Sequence, residues 1–215
     1  MSKEKMVKIV ECEVTEINRL LINAQECFRM FEFLVMDSAD EHENYVKHSY
    51  MSLAFVRGIL WERAVLDLSK LLYFDPKNKA NTKNRERFNL RHFLLKLSRG
   101  GIFEKAGIDS GKIITWLSRL DAHDVEILNL IKQRDKKIAH TDSSHKDILN
   151  TLTFKNVKDL FEIGYAVVKE INLSVFNRGV SFEPINSPVE NLQTVVADLA
   201  IRKKQKESAW KQLHR

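Results

Sequence analysis

Proline, glycine and cysteine are scarce in this chain: its 215 residues hold 3 Pro, 7 Gly and 2 Cys. So little turn chemistry argues against a β-rich fold with many tight corners and for long helices joined by short connections. The two cysteines, Cys12 and Cys27, make no disulfide framework. On a single helix they stand about 22 Å apart, too far to bridge. No apolar run reaches the roughly 20 residues of a membrane span. The opening Met-Ser-Lys-Glu-Lys lacks the apolar core of a signal peptide, so a cytoplasmic protein with no membrane partner is expected. There is no internal repeat, no long linker and no convincing strand beyond a possible extension at 180–185.

An even spread of charge is also missing. The net charge is +6, yet residues 77–99 carry eight Lys/Arg against Glu86, and residues 202–215 carry six against Glu207. The rest of the chain is mildly acidic. Two basic segments on an acidic body point to a polyanionic partner more sharply than a diffuse excess would.

What is abundant is apolar residues at helical spacing. Val7, Val10, Val14, Ile17, Leu21, Ala24, Phe28, Phe31 and Val35 alternate by three and four, which predicts a helix over about 4–36. Leu20, Cys27 and Leu34 widen that stripe, so it fits a bundle, with a coiled-coil pair as the alternative. A second helix is expected over about 41–73, apolar on most sides from Met51 onward and therefore central and covered by its neighbours. Asp75-Pro76 stops it, and the basic, Asn-rich 77–87 reads as a loop. A short helix over about 88–98 ends at Gly100-Gly101. Ser110 or Asp109 caps the next, and Asp121 to Asp124 is a continuation or a restart. Thr153 caps a helix over 154–176, where Gly164 on the apolar stripe implies close approach of another backbone. Ser187-Pro188 opens the last helix. The expected architecture is all-α, an antiparallel bundle of five to seven helices in one domain over 1–201, with a basic tail over 202–215.

One stretch concentrates chemistry: Gln133-Arg134-Asp135-Lys136-Lys137-Ile138-Ala139-His140-Thr141-Asp142. Arginine presents a planar, always charged fork to phosphate, and histidine moves protons near neutral pH. The pair suits cleavage of RNA without a metal, since RNA supplies its own 2′-hydroxyl nucleophile. Six positions along a straight helix separate two side chains by about 120° and 9 Å. Either the helix ends near Lys137 to Ala139 so that His140 swings back, or a second chain completes the site. Asp121, His123, Asp124, His140, Asp142, His145 and Asp147 match no standard metal-ligand spacing, and no metal or cofactor is expected.

Arg-Asp-Lys-Lys-Ile-Ala-His-Thr-Asp resembles the signature of HEPN domains (higher eukaryotes and prokaryotes nucleotide-binding), an arginine followed after four to six residues by a histidine. The form here is similar to the abortive-phage-infection branch, and Leu60-Trp61-Glu62-Arg63-Ala64-Val65-Leu66-Asp67-Leu68-Ser69-Lys70-Leu71 resembles the second core helix of that branch. The resemblance covers roughly residues 5–175 in helix order and is specific in these two motifs. It implies a homodimeric, metal-independent endoribonuclease of a phage-defence or toxin–antitoxin system, with Arg134 and His140 catalytic and Asp135 orienting one of them. The alternative is a non-catalytic RNA-binding or scaffold module. Lys136, Lys137, Lys83, Arg85, Arg87 and Arg91 are the candidate RNA contacts, and an antitoxin protein is a possible partner. The chain departs at Asp142, where toxins silenced by adenylylation carry a tyrosine, so the resemblance does not extend to control at that position.

Overall fold

The apolar three-and-four spacing at the start of the chain becomes a 33-residue helix, α1 (Lys3–Val35). Val10, Val14, Ile17, Leu21, Ala24 and Phe28 are all buried on one side of it. The structure, a computed structural model, describes residues 2–74, 88–135, 153–182 and 187–213. After α1 come α2 (Glu41–Ser49), α3 (Met51–Leu72), α4 (Leu90–Leu97), a 3-10 turn (Glu104–Ala106), α5 (Ser110–Ala122), α6 (Asp124–Gln133), α7 (Phe154–Phe176) and α8 (Pro188–Leu213). The fold is all-helical. Among the described residues there is no strand, and Gly179 to Phe182 has no regular structure. The described residues form eight α-helices against the five to seven expected: the helix expected over 41–73 is divided in two, and at 121–124 the chain restarts a helix instead of continuing one.

The first division is at Tyr50, whose extended backbone (φ −80°, ψ 116°) separates α2 from α3. No glycine or proline marks it. Tertiary partners do. The buried Lys47 ammonium donates to the Met36 carbonyl at the end of α1, 3.1 Å away, and lies 4.2 Å from the centre of the Phe33 ring. Burial pushes the Lys47 pKa down. Asp40 caps the N-terminus of α2 by accepting from the His42 and Glu43 amides. The second division is at His123, where α5 stops and α6 restarts with Asp124. Local signals place the other starts. Asp109 caps α5 by accepting from the Gly111 amide. Thr153 and Asn156 form a capping box on α7. Pro188 takes the first position of α8.

Packing divides the chain into two compact units: Met1–Ala24 with Val65–Phe182, and Gln25–Ala64 with Glu183–Arg215. The helices α1 and α3 each contribute to both. In the larger unit, Glu13 of α1 takes the Lys96 ammonium on both carboxylate oxygens, at 2.8 and 2.9 Å. Gly164 of α7 faces the Leu21 side chain. It is a side chain and not a backbone that makes the close approach expected there.

In the smaller unit, Leu34, Val46, Leu60, Val196 and Ala200 form the core, and the Phe31 and Trp61 rings lie 4.9 Å apart. Here α8 packs on α2. Glu207 accepts from Lys203 at 2.6 Å and meets His42 at 3.3 Å, while the Lys203 ammonium stands 3.6 Å over the Tyr45 ring. The hydrogen bonds from Lys203 and His42 hold the Glu207 carboxyl below its ordinary value. A lowered carboxyl pKa stabilises the fold above its unfolded value, and this is lost as the pH falls through the folded value. The unfolding midpoint is therefore expected to fall as pH drops below about 4.5, the ordinary Glu value, and Glu207→Gln should flatten that part of the curve. An unchanged slope in thermal scans would remove this contact as its source.

One expectation needs correction in this unit. The first half of α3 is not covered: Met51, Phe55, Val56 and Ile59 are exposed, at 83%, 70%, 37% and 48%. Only its second half is interior, where Val65, Leu68, Leu71 and Leu72 are buried. The helix α8 runs unbroken through 201–202 to Leu213, although its last buried residue is Ala200.

Candidate functional site

Arg134 closes α6. Its backbone is still helical (φ −55°, ψ −53°) and its amide donates to the Leu130 and Ile131 carbonyls. With Asp135 it forms a π-helical turn. Turns of this kind are frequent at functional positions. The Arg134 side chain is 19% exposed, and its Nε donates to the Asp135 carboxylate at 2.8 Å. The guanidinium carbon lies 5.4 Å from the centre of the Tyr73 ring, within reach of a cation–π attraction. The arginine is thus held from two sides, by a carboxylate on its own turn and by an aromatic face at the end of α3.

Tyr73 is itself held. Its carbonyl accepts from the Asn89 side-chain amide. The other end of that amide caps α4 by accepting from the His92 backbone at 3.0 Å. One asparagine therefore ties the end of α3 to the start of α4. Phe74, next in the chain, lies 5.1 Å from the guanidinium of Arg91, so two consecutive aromatic residues receive two arginines.

Arg91 is not a surface cation. Its side chain is 6% exposed, with Nη1 on Asp121 at 2.6 Å and Nη2 on Asp124 at 3.2 Å. It bridges the end of α5 to the first turn of α6 across the His123 break. That geometry replaces its expected role as an RNA contact with a structural one, because a guanidinium fork already on two carboxylates offers little to phosphate. Arg91→Ala is expected to cost about 1–2 kcal/mol, because the packing of a buried side chain is lost along with two ion pairs whose acids can still reach water. Arg91→Lys should recover only part, because an ammonium cannot reproduce the fork. Urea unfolding of the three proteins checks this; a change below about 0.5 kcal/mol contradicts it.

Of the ten buried polar or charged residues among those described, six are Asp67, Ser69, Asn89, Arg91, His92 and Gln133. All belong to the second half of α3, the start of α4 or the end of α6. More than half of the buried polar residues described are therefore on α3, α4 and α6, the elements whose ends meet around Tyr73 and Arg134. Tyr73 and Asn89 were missed in the sequence. The usable signal was Asn89 just before an apolar run, an N-cap pattern.

His140, Lys136, Lys137, Lys83, Arg85 and Arg87 lie outside the described residues. Asp135 is described, is 53% exposed at its side chain and pairs with Arg134. Among the described residues no three His, Cys, Asp or Glu side chains gather as a metal site, and no helix is long and apolar enough to cross a membrane. A separate cleft of about 660 Å³ lies between α5 and α7, with Trp116, Lys169 and Leu173 in its lining. The Lys112–Glu170 ion pair, at 2.8 Å, joins its walls. No family model, curated protein or solved structure matches the chain.

Proposed function

We propose that this protein is a metal-independent endoribonuclease of a phage-defence or toxin–antitoxin type, with an HEPN-like antiparallel bundle, a homodimeric state and Arg134 and His140 as its catalytic pair. The reading rests on the Arg-Asp-x4-His pattern in the sequence, and it is supported by Arg134, which follows α6 and is contacted by Asp135 and Tyr73. In the reaction the RNA 2′-hydroxyl attacks the adjacent phosphorus and the 5′-oxygen leaves. The imidazole of His140 moves the proton of one of those oxygens, and the guanidinium of Arg134 offsets the charge gathering on the phosphoryl oxygens. The products are a 2′,3′-cyclic phosphate and a 5′-hydroxyl end. Because the two groups would not converge on one straight helix, the reading calls either for a turn that brings His140 back to Arg134 or for completion of the site by a second copy.

The test is RNA cleavage in EDTA. Wild type should cut and leave cyclic-phosphate ends, and His140→Ala should abolish cutting and relieve toxicity on induced expression. Persistent cutting by that variant would refute the assignment.

A second reading, a non-catalytic RNA-binding module, is favoured by one observation. Arg202, Lys206 and Lys211 on the exposed end of α8 have no carboxylate partner among the described residues, and Trp210 there is 65% exposed. Exposed cations beside an aromatic ring suit a single strand, with phosphates on the cations and a base on the ring. This reading expects salt-sensitive binding that His140→Ala leaves unchanged.

A further inference from the structure

The cleft between α5 and α7 lies wholly within the larger unit. One face of each helix lines it. Lys112 and Trp116 stand one turn apart on α5, and Ala166, Lys169 and Leu173 follow one another at helical spacing on α7. Trp116 is buried, at 7% exposed, whereas Leu173 is open, at 56%. A buried indole beside an open aliphatic side chain offers apolar surface to a ligand. The volume, about 660 Å³, falls within the roughly 300–1,000 Å³ of small-molecule sites.

The charges around the cleft are unevenly matched. Lys112 is engaged, with its ammonium 2.8 Å from the Glu170 carboxylate. Glu170 also accepts from the Ser174 hydroxyl, and these two hydrogen bonds hold its carboxyl below the ordinary value. Asp109 is turned to the Gly111 amide as the cap of α5. Both acids in the lining are thus engaged. Lys169 is exposed and has no carboxylate partner among the described residues.

We infer that this cleft is a binding site for a small amphipathic carboxylic acid, whose aromatic or aliphatic body lies against Trp116, Ala166 and Leu173 and whose carboxylate pairs with Lys169. The lining selects that class. A neutral apolar ligand would take water from the Lys169 ammonium and give it no counter-charge. A cationic ligand would meet like charge there. A nucleic-acid strand needs cations along its whole backbone, and the lining offers one, beside two carboxylates that repel phosphate. A single carboxylate matches a single ammonium, and Glu170, already held by Lys112 and Ser174, does not compete for it. The site shares no residue with the pair Arg134 and His140 and stands apart from the ribonuclease reading.

The probes are 2-naphthoate and its neutral amide, 2-naphthamide, which present the same rings with and without the charge. Equilibrium dialysis against the full chain reads the binding of each. Wild type should bind 2-naphthoate saturably below about 1 mM, and 2-naphthamide about fivefold more weakly, the scale of one partly exposed ion pair. Lys169→Gln should bring the affinity for the acid down to that for the amide and leave the amide unchanged. Leu173→Ser should weaken both together by about fivefold, through lost apolar contact. Ile114→Ser, at an exposed position of α5 outside the lining, should weaken neither. All three positions are exposed, so the variants should unfold at the wild-type temperature. The inference is overturned if the acid does not saturate the protein by about 1 mM or if acid and amide bind alike. It is overturned equally if the preference for the acid survives Lys169→Gln or if Leu173→Ser has no effect.

Discussion

Arg134→Ala should lower RNA cleavage by about 10²–10³-fold, the usual loss when one preorganised donor to a developing oxyanion is removed. The argument begins at the helix end. Arg134 stands on a π turn, its Nε on Asp135 and its cation over Tyr73. Those contacts order the guanidinium before substrate arrives, so little is lost in orienting it during the reaction. Arg134→Lys should recover less than tenfold of the loss, since an ammonium keeps the charge but not the fork or the flat stacking face. Tyr73→Leu should fall between wild type and Arg134→Ala, because it removes the aromatic face and leaves the Asp135 contact. Single-turnover cleavage rates in EDTA read all three. Stability should change little with Arg134→Ala, so thermal unfolding separates loss of the site from loss of the fold. Wild-type rates in Arg134→Ala would sink the catalytic role.

Gly164→Val should destabilise the larger unit by about 3 kcal/mol, at the upper end of the range for overpacking a tight core. A Cβ at Gly164 would come within 2.5 Å of Leu21 Cδ2, 3.0 Å of Cδ1 and 3.3 Å of Cγ. Leu21 is fully buried on α1 and cannot swing into solvent. Valine adds two methyls beyond that Cβ and has little helix propensity to set against them. Gly164→Ala should cost less, about 1 kcal/mol, because the gain in helix propensity offsets part of the crowding. Leu21→Ala is expected to destabilise the native protein by about 2–5 kcal/mol, yet to cost clearly less in the Gly164→Val background, where its cavity takes up the added methyls. Urea unfolding of the four proteins closes the cycle. Additive effects would show that the two side chains do not compete for the same space.

Much of the helical framework was legible because its signals are local. The α1 stripe needs only a helical repeat, and Asp109, Thr153 and Pro188 act on backbone groups within a few residues of themselves. Arg91 shows where such reading stops. It lies in a run of cations that looks like one exposed basic face, but its partners, Asp121 and Asp124, are about thirty residues away. The sign of a charge is written in the chain, whereas its partner is set by packing. Tyr50 makes the same point for the backbone. Nothing around it breaks a helix, and the break is held by Lys47 reaching back to the end of α1. For the candidate site, Arg134 and Asp135 were found from spacing and composition. Tyr73 and Asn89 belong with them only because the ends of α3, α4 and α6 are brought together.

By itself, then, the sequence determined that the chain is helical, where most of its helices begin and where its arginine, acid and histidine stand in order. Those properties follow from backbone capping, proline and glycine geometry and a repeat of 3.6 residues, all of short range. Tertiary structure alone decided which apolar faces are covered. The α3 run reads as uniformly apolar, yet half of it is core and half is open surface, because hydrophobicity favours burial without naming what does the burying. It also decided that Arg91 turns inward and that Tyr73 lies under Arg134. Ion pairs and aromatic contacts form between whichever groups the packed helices bring within a few ångströms, and no local pattern encodes that distance.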